Sequence, residues 1–225
     1  MDFPIKKTDV QIQRDVIDEL KWDTRVRRTD VGVEVTSGVV TLTGAVDSWT
    51  ARVAAQEAAH RVFGVLDVAN DIQVKLQGSY ERSDTDIAHA VRHALEWDVL
   101  VPDDRIRTTV SNGVVLLEGK VDFWSEFDDA ERCVRNLAGV VEVRNLLTVE
   151  PSSPDVAPHT VRSAIEHALE RHADHSAKHV HIAISGSKVV LSGEVHTWAE
   201  RNAVVGAVRG TPGVQSVDSQ LRIHT

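Results

Sequence analysis

Three stretches of the chain carry the same succession of apolar and polar positions. Each opens with apolar residues four apart: Ile12, Val16 and Leu20, then Ile87, Val91 and Leu95, then Val161, Ile165 and Leu169. That spacing lays one buried stripe along a helix. Period-two alternation follows, clearest in Val31, Val33 and Val35 and in Val180, Ile182 and Ile184, and predicts a strand with one covered face. The second copy breaks the alternation at Thr108, between Ile106 and Val110. Ser37-Gly38, Asn112-Gly113 and Gly186-Ser187 then hold one turn position, and each pair suits a tight hairpin with positive φ.

A second strand follows, as in Val39 to Thr43. Gly44, Gly119 and Gly193 come next, where a Cβ is a liability because the chain turns sharply or a helix packs close. From Trp49, Trp124 and Trp198 a second helix is predicted, with Ala55, Ala59 and Val62 matched by Ala130, Val134 and Leu137. Gly64, Gly139 and Gly213 lie past its last apolar position, as the left-handed C′ residue that ends a helix. A third strand, Val68 to Val74 in the first copy, closes the unit, and the helical crossover makes it parallel to the second.

Shifted by 75 and then 74 residues, GVVTLTGAVDSW falls on GVVLLEGKVDFW and SKVVLSGEVHTW without a gap. The repeat makes this an α+β chain of three tandem α-β-β-α-β modules, each a three-stranded mixed sheet with two helices on one face, over residues 1–78, 79–152 and 153–225. Ser, Pro and charge mark linkers at 77–84 and 150–158. A module of this size is marginal alone, which favours docking between neighbours.

Charge refines the picture. The net charge is −9, which argues against nucleic acid as a partner. The three segments contribute −2, −7 and 0, and eight of the eleven histidines fall in the third, so the modules need not share a partner. The first residues show no secretory leader pattern and no run is long enough to span a membrane, which sets the expectation of a cytoplasmic protein. No phosphate loop, nucleophile elbow or HExxH helix is present, so a non-catalytic chain without a cofactor is expected. The single cysteine, Cys133, aligns with Ala58 and Ala207 and reads as a buried small residue.

The motifs SGVVTLTGAV with GVLDVAND, NGVVLLEGKV with GVVEVRNL, and GSKVVLSGEV with GVQSVDSQ resemble the BON domain, whose pattern is an NG-type turn, V-x-L-x-G-x-V, an alanine-bearing helix and G-V-x-x-V-x-N. The third copy departs from it at Ser219, where the others have Asn70 and Asn145. The resemblance implies association with phospholipid or envelope surfaces, a role in osmotic or envelope stress and, in one relative, potassium binding. Phospholipid headgroups or a small ion are therefore the expected partners, with a metal- or ion-responsive module in the third copy or a protein-interaction scaffold as the alternatives.

Two candidate sites follow from the residues themselves. Trp22 and Trp97 close the first helix in LKWD and LEWD but give way to Arg171 in the third copy, which marks them as dispensable to the core and suited to an exposed role. Trp22 is followed by Arg25, Arg27 and Arg28, a set able to meet an anionic headgroup. The second candidate is metal binding by His172, His175, His179 and His181, two of which alternate onto one face of a strand. Trp49, Trp124 and Trp198, repeated in every copy, read as core or staple residues that fix the entry of the second helix.

Overall fold

The computed structural model describes residues 7–26, 30–76, 78, 81–150, 163, 165 and 180–224. Helix α1 (Asp9–Trp22) leads to strands β1 (Asp30–Thr36) and β2 (Val39–Val46), helix α2 (Trp49–Arg61), and strands β3 (Asp67–Asn70) and β4 (Gln73–Val74). The second module follows with α3 (Asp84–Trp97), β5 (Ile106–Ser111), β6 (Val114–Val121), α4 (Trp124–Arg135) and β7 (Glu142–Val149). The third contributes β8 (Val180–Ser185), β9 (Lys188–Val195), α5 (Trp198–Arg209) and β10 (Ser216–Ile223). Ahead of β8, Ser163 and Ile165 are helical and Ile165 is wholly buried.

Each sheet has its hairpin antiparallel and its third position parallel to the middle strand. The predicted stripes face inward. Ile12, Val16 and Leu20 join Val40, Leu42 and five buried alanines of α2 in one core, and Ile87, Val91 and Leu95 join Val115, Leu117 and Val134 in the next. Alanines along α2 let it lie close on the sheet, which leaves little room for larger side chains.

Local sequence sets the element ends. Asp9 accepts from the N–H groups of Ser37 and Gly38 at 2.8 and 2.9 Å, and Asp84 does the same for Asn112 and Gly113. The first helix thus clamps the hairpin turn, and it holds Ser37 and Asn112 at positive φ. Pro158 aligns with these acids in the third copy, and there only Gly186 of the turn pair has positive φ.

Three expectations need correction. Gly64, Gly139 and Gly213 are not C′ residues; each sits third in a turn closed by Val65 N–H to Val62, Val140 N–H to Leu137 and Val214 N–H to Thr211. Their φ values of 95, 93 and 90° are those a type II turn demands, and Pro212 precedes the last of them. Gly119 makes room for the backbone just ahead of β5 rather than for a packed helix, since a Cβ there would meet the carbonyl oxygen of Arg105, the last residue of a 3-10 turn (Asp103–Arg105), at 2.2 Å. The third strand of module one is interrupted at Asp71 and Ile72, a break that the continuous β7 of module two does not share; beside it Asn70 turns inward, its Nδ2 donating to the Arg52 carbonyl at 3.2 Å and its Oδ1 accepting from Ile72 N–H at 3.3 Å. Asn145 makes the equivalent strap to Phe127 and Leu147. Ser219 is too short to do so, and its buried hydroxyl has no partner among the described residues.

The modules close into a ring. Trp49 at the start of α2 packs against the core of module two, and Thr50 Oγ1 next to it donates to Asn136 Oδ1 at 2.7 Å, at the end of α4. Trp124 at the start of α4 has the guanidinium of Arg209, the last residue of α5, 4.3 Å from its ring centre. Trp198 at the start of α5 stacks on His60 near the end of α2 at 4.2 Å, and its Nε1 donates to the Leu66 carbonyl at 3.1 Å. One pair of surfaces is used three times, head to tail, and the third use returns to the first module. A head-to-tail contact that closes after three steps relates the modules by rotation about one axis.

Candidate functional site

Two of the repeated tryptophans, Trp49 and Trp198, are therefore seam residues packed on the core of another module, whereas Trp124 packs on the core of its own module and is covered from the next by Arg209. Each indole is bracketed by the side chain three positions on, namely Arg52, Phe127 or Arg201. Opposite comes a residue from the last turn of another second helix, Arg209 on Trp124 and His60 on Trp198, and Arg135 holds the aligned position at the first seam. A cleft of roughly 250 Å³ lies at the first of these seams, between Ser48 and Thr50 on one side and Arg135 and Asn136 on the other.

Trp22 and Trp97 stand apart from the seams. They end α1 and α3 with 84% and 75% of their surface exposed. Each opens a tight tip of the same geometry. The Asp23 carboxylate accepts from Arg25 N–H at 3.1 Å, and Asp98 accepts from Leu100 N–H at 3.0 Å. Val26 N–H and Val101 N–H then bond back to the carbonyls of the same two aspartates, which buries Val26 and Val101. Such an Asx turn fixes the backbone of the tip.

What the tips present differs. In module two the residues between Trp97 and Val101 include Val99 and Leu100, 95% and 61% exposed. Three large apolar side chains thus project from one short loop, an arrangement a soluble surface seldom tolerates without a use. In module one Arg25 pairs with Asp23 at 2.8 Å and Glu57 at 2.7 Å, and Arg61 pairs with Asp23 and Glu19. The Arg25 hydrogen bond holds the Asp23 carboxyl well below the usual carboxylate range, and Asp23 in turn raises the guanidinium. Arg25 is engaged in the fold, while Arg27 and Arg28 lie outside the described residues.

Of the histidine set, His172, His175 and His179 lie outside the described residues, and His181 is exposed on the open face of the third sheet, opposite Ser192. Among the described residues no group of three or more metal-ligating side chains converges. Cys133 is half-buried on α4, where burial and a 3.1 Å contact to Asp98 Oδ2 push its thiol up to about 11, so it carries little thiolate.

Val99 and Leu100 were missed by the sequence reading, although their signal was in view: both stand where module one has polar Thr24 and Arg25. The seam partners His60, Arg135 and Arg209 carry no local signal.

Comparison with known proteins adds the family. The BON domain matches residues 8–75, 83–151 and 159–225. The chain belongs to the BON-domain family. It is also similar to the osmotically-inducible protein Y of Escherichia coli (strain K12), with 32% identity over 124 residues, 53% of this chain and 62% of that protein. Among solved structures it matches CdsD, a structural protein of the type III secretion system of Chlamydia trachomatis, at 13% identity and a TM-score of 0.26, over 95% of this chain and 92% of that one. A score that low bears on neither assembly nor function. Among the described residues of this BON protein, no helix is long and apolar enough to cross a membrane.

Proposed function

We propose that this chain is a non-catalytic, stress-associated BON protein that docks on a phospholipid surface through the tips after α1 and α3. The observation that carries the reading is the solvent-facing set Trp97, Val99 and Leu100, with Trp22 at the equivalent tip. Rotation about one axis brings equivalent points of the modules to the same height, so both tips face the same side of the ring. Fully burying one such apolar side chain stabilises by about 1.5–3 kcal/mol, so a single tip gives weak attachment. Two tips on one rigid body act together, because the second inserts at a high effective concentration.

The family and the osmotically-inducible relative support the stress association. Indoles suit the boundary between headgroups and acyl chains, with an apolar body and a polar N–H. After Trp22 the sequence adds Arg27 and Arg28 beyond the paired Arg25, while the second tip is flanked by Glu96, Asp98, Asp103 and Asp104. The reading therefore assigns insertion to module two and charge-dependent contact to module one.

Sedimentation with phosphatidylglycerol and with phosphatidylcholine vesicles, at low and high salt, tests this. Trp97→Ala combined with Leu100→Asp is expected to reduce binding to both vesicles at least tenfold. Replacing Arg27 and Arg28 by Gln is expected to remove only the salt-sensitive part. Vesicle binding that is absent in the wild type, or unchanged in the tip variant, overturns the reading.

A further inference from the structure

The seam between modules one and three differs from the other two in connectivity and in one side chain. Modules one and two, and two and three, are consecutive in the chain; modules one and three meet only by contact, across the 132 positions between Leu66 and Trp198. At the positions that align with His60 the other two second helices carry Arg135 and Arg209, charged at every relevant pH. Here the residue is His60, the one side chain whose ordinary titration falls near neutrality.

We propose that His60 is a proton-operated latch on the ring: the seam between modules one and three is closed while the imidazole is neutral and opens when it is protonated.

The geometry explains the direction. The His60 ring lies 4.2 Å from Trp198 with 22° between the planes, and its Nε2 is buried with no hydrogen-bond partner among the described residues. With the neutral ring's one proton on Nδ1, that nitrogen is a bare lone pair. Protonation puts an N–H there, a buried donor with no acceptor, which is the costly kind of unpaired group.

The charges around it do not reverse this. Glu57 on the same helix and Asp67 at the start of β3 favour the proton, whereas Arg201 on the incoming α5 opposes it. On α1, Glu19 and Asp23 are taken up by Arg61. Removal from water outweighs the rest and lowers His60 below its ordinary 6.5. A base held below its unfolded value contributes stability that is complete above about pH 6.5 and lost as pH falls through the folded value. The arginine seams tolerate their cation by other means. Arg209 has Asp128 to attract it, a position held by Asn202 in the third module, and its guanidinium lies over the Trp124 ring, whose face attracts a cation.

The test is indole N–H exchange measured by NMR on the full chain, with each rate corrected for its intrinsic pH dependence. Trp49 and Trp124 are the internal references. Between pH 7.5 and 5.0 the Trp198 indole N–H is expected to lose at least tenfold in protection while the references keep theirs, and in His60→Phe, which preserves stacking without titration, Trp198 protection is expected to stay level. Constant Trp198 protection in the wild type overturns the proposal. So does a loss shared equally by all three indoles, or an equal loss in His60→Phe. Because this readout uses no lipid, it stands or falls separately from the docking surface.

Discussion

The five tryptophans form two populations that sequence treats alike and the fold treats oppositely. Trp49, Trp124 and Trp198 are half-buried between modules, whereas Trp22 and Trp97 are spread into solvent. The first group recurs in all three copies because a closed ring needs the same plug at every seam. The second recurs in two copies and is replaced by Arg171 in the third, as a residue that supports no packing is free to be. Strict recurrence in a repeat protein thus marks what joins repeats as strongly as what fills them.

Substitutions at the two groups separate them. Trp198→Ala or Trp49→Ala is expected to cost about 2–3 kcal/mol, below the range for fully buried aromatics because each is half-buried. Urea denaturation followed by circular dichroism measures it, and a cost under about 0.5 kcal/mol would dissolve the distinction. The strap inside a module comes next: Asn145→Ala removes bonds to Phe127 and Leu147 and is expected to cost about 1–2 kcal/mol, while Ser219→Asn, which restores the family's residue in the third module, is expected to raise the melting temperature. Asp84→Ala, which releases two turn N–H groups, is expected to cost about 1 kcal/mol.

Smallest of all are Trp22→Ala and Trp97→Ala, each within about 0.5 kcal/mol of wild type in the same denaturation experiment. The tips have their own acid dependence. Asp98 is held below the ordinary carboxylate value of 3.8 by the Leu100 N–H and then by the Cys133 thiol. A lowered acid gives stability that is complete above its unfolded value and lost as pH falls through the folded one. Amide exchange at Leu100 should therefore quicken, after correction for intrinsic rate, only below about pH 4.

Much of the fold was legible because its signals are local. Helix stripes, hairpin turns and the sense of the third strand follow from spacing within one copy, and gap-free superposition of the copies removes the ambiguity of each. The asparagine straps were not legible, since Asn70 acts on Arg52 and Asn145 on Phe127, each 18 positions away. Neither were the seams: packing inside a module and packing between modules both call for a half-buried indole, and a one-copy pattern does not distinguish them. Of the candidate site, the exposure of Trp22 and Trp97 followed from their absence in the third copy. The apolar character of the second tip escaped notice because Val99 and Leu100, in isolation, read as residues awaiting cover.

Closure of the ring settles what a shorter piece of this chain would do. Any fragment of one or two modules keeps an indole plug at one end and a vacant socket at the other, each cut to fit the other. Copies of a one-module fragment are expected to close into a trimer by the same rotation, and a two-module fragment to capture a further module at its open ends. Truncation is therefore expected to turn a self-contained molecule into an assembling one, with a size in solution that grows with concentration.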